Sequence, residues 1–146
     1  MGRAPDRGLG LWRKRAWTLR ALVLLALVRL GLAVLPFRIV RRVQQRAARV
    51  RRAPCPDSWV PTLARSVERA ARRLPGEETC LAQAMVGQIL LARAGHPSEI
   101  KIGVARPPAE GDPKGRKLLA HAWLEARGVA LIGEPEPGRY TELTTR

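Results

Sequence analysis

A chain that makes or breaks acyl bonds needs a nucleophile and a base, and this one offers few of either. Its 146 residues hold two cysteines, Cys55 and Cys80, and two histidines, His96 and His121. Cys80 has the better setting. It stands at the predicted start of a helix, after Thr79 as a possible N-cap. Unpaired N–H groups and the positive end of the helix dipole stabilise a thiolate there. A core cysteine acting as a small hydrophobe is the competing reading. His121 sits inside the apolar run Leu118-Leu-Ala-His-Ala-Trp-Leu-Glu-Ala126, where an imidazole needs a polar partner. It is either a satisfied core histidine or the base that takes the Cys80 proton.

The acid depends on strand register. If Arg127-Gly128 is a two-residue hairpin loop, Ala126 pairs with Val129, and His121 faces Glu134 with Cβ atoms ~5 Å apart. Glu134 then orients the ring as the third member of a triad. A three-residue loop puts Gly133 opposite instead. Glu125 shares the His121 face but lies about 13 Å along the strand. Cys55, between Pro54 and Pro56, reads as a linker thiol, and His96, after Gly95, as a loop residue. Trp123 reads as either a cleft wall or a core residue. No Cys/His cluster has zinc spacing.

The elements that must position these residues follow from periodicity and punctuation. Pro61 opens a helix with Leu63, Val67, Ala70, Ala71 and Leu74 at helical spacing, ended by Pro75-Gly76. The Cys80 helix runs to Ala94 and stops at Gly95-His96-Pro97. Along it, Ala84, Gly87 and Leu91 share the Cys80 face, a small-residue surface that can lie close against a sheet. Ile100, Ile102 and Val104 alternate as a strand, and Pro107–Lys117 is a Pro/Gly loop. Strands over Leu118–Ala126 and Val129–Glu134 follow, with a short edge strand at Tyr140–Leu143. Helices first and an antiparallel sheet afterwards make an α+β domain.

Charge divides the chain. Residues 1–54 hold 14 basic side chains and one acid, whereas residues 55–146 hold 13 basic and 11 acidic. This predicts a basic, Leu-rich helical segment (1–54) and a nearly balanced domain (55–146). Ala21 to Phe37 invites a transmembrane reading, which Arg20 and Arg29 oppose. The Arg cluster at Arg38, Arg41 and Arg42 is unlike the end of a signal peptide. A second helix is expected from Phe37 to about Arg52, opened by Pro36. Three readings stay open: helices packed on the domain with arginine stems turned outwards, docking on an anionic membrane surface, or a true span. With 46% hydrophobic and few aromatic residues, neither disorder nor an aromatic-rich nucleic-acid reader fits. Two cysteines are too few for a disulfide scaffold, which points to a cytoplasmic protein with the inner membrane face as a possible contact.

Taken together, Cys80-Leu-Ala-Gln-Ala84, Leu90 to Pro97, Ile102-Gly-Val104, Ala120-His-Ala-Trp-Leu-Glu125 and Gly128 resemble the leader peptidase of lasso peptide biosynthesis. This is the stand-alone, microcin-processing type of transglutaminase-like cysteine peptidase. The likeness spans roughly residues 60–143, and Leu35-Pro-Phe-Arg38 matches the family's N-terminal region. The resemblance implies a papain-like/transglutaminase-like core with Cys80 as nucleophile and His121 as base. It implies a thiol protease that removes the leader from a ribosomally made precursor during antibiotic biosynthesis, with no cofactor in this chain. Its partners would be the precursor, a separate leader-recognition protein and a lasso cyclase that uses ATP. The family's acid commonly falls where this chain has Gly133, one residue before Glu134. The alternatives are a non-enzymatic basic module docking on membrane or nucleic acid through residues 1–54, and a same-fold amidase or acyltransferase.

Overall fold

In a computed structural model, the described residues are 7–50, 54–75, 80–105 and 119–143. The chain opens with two helices, α1 (Arg7–Val34) and α2 (Phe37–Arg49), separated by Pro36. A 3-10 turn at Asp57–Trp59 leads into α3 (Val60–Ala71), with Pro61 in its first turn, where a missing N–H costs no hydrogen bond. The next helix, α4 (Cys80–Arg93), stops where Gly95 takes φ +87° and the His96 N–H donates to the Leu91 carbonyl at 2.9 Å. Strands β1 (Glu99–Ala105), β2 (Leu119–Ala126), β3 (Val129–Ile132) and β4 (Thr141–Glu142) follow, in sheet order β3-β2-β1-β4. The β1–β2, β2–β3 and β1–β4 pairings are all antiparallel, so the α+β expectation holds. The expected loop at Pro107–Lys117 and the cap Thr79 lie outside the described residues.

The β2–β3 hairpin forms through the expected two-residue loop. Arg127 (φ +54°) and Gly128 (φ +76°) are both left-handed, the geometry that matches strand twist in a tight hairpin. Ala126 pairs with Val129 and Glu125 with Ala130, but Leu124 then pairs with Ile132. One extra residue on β3, Leu131, is thus accommodated as a bulge. The strand ends at Ile132, short of the expected Glu134, because Gly133 turns the chain with φ +69°.

The core lies between the helices and one face of the sheet. Leu25, Leu63, Val67, Val86, Leu91, Leu124 and Ile132 are at most 1% exposed within it. Gly87 sets the helix–sheet distance: a Cβ there would stand 2.4 Å from Ile132 Cδ1 and 2.7 Å from Leu124 Cδ2. Ala21, Leu25 and Val28 of α1 and Val40 of α2 belong to the same cluster as α3 and α4. The change in composition at residue 54 is therefore a change in charge, and the packing runs across it. Among the described residues, Gly10–Val34 is long and apolar enough to cross a bilayer, yet its inner face is committed to this core.

Candidate active site

Cys80 is the first residue of α4, with a free, half-buried thiol. Seven residues on, Gly87 touches Leu124 of β2. The short connection from α4 to β1, and the pairing of Glu99 with Glu125, place the C-terminal ends of α4 and β2 together. Seven residues back along the helix and three back along the strand are each about 10 Å. Cys80 and His121 thus lie towards the same end of the helix–sheet layer.

Strand alternation puts the His121 ring on the other face. Leu124 and Ile132 point at α4, whereas His121, Trp123 and Gly103 share the opposite side. There the imidazole stacks against Trp123 (6.2 Å between centroids, 20° between planes) and makes a tilted contact with Tyr140 at 5.1 Å and 32°. The chain from β3 to β4, which carries Tyr140, must pass from one edge of the sheet to the other. Trp123 is buried, so it floors the histidine instead of walling an open cleft. Gly103 makes room for it: a Cβ there would meet the Trp123 ring at 2.9 Å and Tyr140 Cβ at 3.0 Å.

The partner of the ring is a backbone group. His121 Nε2 lies 2.7 Å from the Gly133 carbonyl oxygen. A carbonyl only accepts, so Nε2 carries the hydrogen, and in the neutral imidazole Nδ1 is left as the basic nitrogen. The pairing of His121 with Glu134 expected from an uninterrupted hairpin does not form. The bulge at Leu131 shifts the count by one, β3 ends at Ile132, and Glu134 is exposed with no hydrogen bond to the ring. No hydrogen bond joins Cys80 Sγ to His121 either. The segments leading into Cys80 and into β2 fall outside the described residues.

The other cysteine and histidine form a separate, structural contact. The Cys55 N–H donates to the Ala94 carbonyl at 3.0 Å, and His96 Nε2 donates to the Cys55 carbonyl at 2.9 Å. His96 Nδ1 lies 3.4 Å from Asp57 Oδ1, and Asp57 Oδ2 accepts from Arg127 at 2.9 Å. The Arg127 hydrogen bond, with its charge, holds the Asp57 carboxyl below its ordinary 3.8. This network ties the linker to the α4 terminus and the hairpin tip, and sequence reading missed it because its members are far apart in the chain. Glu125 stays with Glu99 at the far end of β2. Lys101, on the His121 face of β1, binds Glu142 at 2.8 Å, which raises its ammonium above the usual 10.5 and anchors β4. Among the described residues no cluster of three His, Cys, Asp or Glu could hold a metal ion.

No curated protein and no solved structure matches the chain. A family model does, over residues 21–145, which takes in α1 from Ala21 as well as the cysteine helix and the sheet. Enzymes of that family are in general cysteine-dependent, of peptidase or acyltransferase type. The chain belongs to the transglutaminase-like superfamily.

Proposed function

We propose that this protein is a cysteine peptidase that removes the leader from a ribosomally synthesised lasso peptide precursor. The observation that carries the chemistry is the His121 ring, held at Nε2 by the Gly133 carbonyl so that Nδ1 is the basic nitrogen of the neutral imidazole. In this scheme Nδ1 takes the Cys80 thiol proton and the thiolate attacks the carbonyl at the leader–core junction. In the same scheme the Cys80 backbone N–H, at the N-terminal end of α4, donates to the developing oxyanion. Imidazolium returns the proton to the departing amine, and water hydrolyses the thioester. The His121 ring lies on the sheet face turned away from α4, so the scheme requires the His121 end of β2 to rearrange around Cys80 when substrate binds, bringing Nδ1 to Sγ. The substrate assignment rests on the Cys80…His121-Ala-Trp123 motif set. It brings with it a separate leader-recognition protein and an ATP-using cyclase as partners, and a cytoplasmic setting.

The test is incubation with a precursor and its leader-recognition protein, read by mass spectrometry. Wild type and Cys55→Ala should release the leader at equal rates, and Cys80→Ala should release none. Comparable cleavage by Cys80→Ala would end the proposal. Acyl transfer shares the thioester, so an added amine should leave the product a free acid; an amide product would assign a transferase instead.

A further inference from the structure

The site uses nothing from the outer side of α1, and that side is unusual. Trp12, Leu19, Val23, Leu27, Leu30 and Val34 are each between 52 and 73% exposed. At 100° per residue they fall within about 80° of the helix circumference and make a stripe ~33 Å long. The side facing away from them is the buried one, with Ala21, Leu25 and Val28. Just past the helix end, Leu35, Phe37 and Ile39 are exposed as well. A continuous apolar band of this size is not the scatter of single hydrophobic residues normal on a surface.

We propose that this outward face of α1 seats the protein on an anionic bilayer, lying in the headgroup region without crossing it. Charge names the occupant. Neither α1 nor α2 contains an acidic residue, and exposed Arg15 and Arg20 border the stripe on either side. Exposed Arg38, Arg41, Arg42, Arg46 and Arg49 follow on α2. Leucines flanked by arginines, with a tryptophan near one end, suit an interfacial helix on anionic lipid. A second copy would bring arginines of like sign together, which opposes a dimer through the same face. Packing decides between lying on the membrane and spanning it. Drawing α1 into the bilayer would strip Leu25, at 1% exposed, and Ala21, at 0%, from the core they share with α3 and α4.

Co-sedimentation with vesicles tests this independently of any peptidase activity. The full chain should pellet with vesicles of equal parts phosphatidylglycerol and phosphatidylcholine and remain in solution with phosphatidylcholine alone. Val23→Glu/Leu27→Glu, which alters exposed side chains and should keep the wild-type melting temperature, should weaken binding by about tenfold or more. Brominated lipid should quench fluorescence that Trp12→Phe removes. Retention of the protein in solution with the anionic vesicles, or equal binding by the double variant, would overturn the proposal. So would membrane association that resists alkaline carbonate, which marks a span. A dimer that the double variant dissociates, in a protein that ignores vesicles, would assign the face to a second copy.

Discussion

His121 is fixed by three contacts of different kinds: a hydrogen bond from Nε2, a stack on Trp123 and a tilted ring contact with Tyr140. The hydrogen bond selects the tautomer, because a carbonyl can accept but never donate. Nitrogen-detected NMR of the neutral side chain should therefore show the proton on Nε2, and an Nδ1–H tautomer would remove the assigned base. The same geometry separates two candidates for the orienting group. If the Gly133 carbonyl holds the ring, Glu134→Gln should keep the proposed peptidase activity within about twofold, since that side chain makes no bond to the imidazole. A loss of tenfold or more would return the role to Glu134. The sequence made Cys80 and His121 stand out by residue type and setting. It gave no sign that the ring's partner would be a main-chain oxygen, because every residue has one.

At the level of elements, the close approach of α4 to the sheet depends on the absence of a side chain at position 87. Gly87→Val would push a Cβ and its two methyls into Ile132 and Leu124, both at most 1% exposed and without space to retreat. It should cost about 1–3 kcal/mol in a denaturant titration, the usual penalty for overpacking. An unchanged midpoint would show that the layers can separate freely. The small-residue face of this helix was legible from the spacing of Cys80, Ala84, Gly87 and Leu91. The hairpin turn was legible too, from Arg127-Gly128 and the patterned strands on both sides. What failed was the count beyond the turn. A one-residue bulge has no strong local signature in Val129-Ala-Leu-Ile132, since any of these side chains fits a strand, and the energy that places Leu131 comes from packing.

For the whole molecule, the formal charge of +15 is concentrated on the two N-terminal helices, and the hydrophobic core extends into them regardless. The long-range Asp57–Arg127 pair helps join the linker to the hairpin tip. Because the folded-state pKa of Asp57 is depressed, its contribution to stability is present above about pH 4 and is lost as pH falls through the lowered value. Asp57→Asn should accordingly melt slightly below wild type at neutral pH, with the gap closing in acid. A gap that widened in acid would reverse the sign and exclude the pair as its source. The effect is small, since both side chains are exposed and screened by solvent. By itself the sequence determined the α+β order of elements, the helix-start cysteine, the strand histidine and the basic, apolar N-terminal run. Those properties are written in residue types and in periods of two and 3.6 residues, which a single segment carries. Only the tertiary structure decided that α1 gives one face to the core and leaves the other bare. It alone set the His121 ring under Tyr140 and made Gly133, not Glu134, its partner. Such outcomes depend on which distant surfaces bury one another, and no local pattern encodes that.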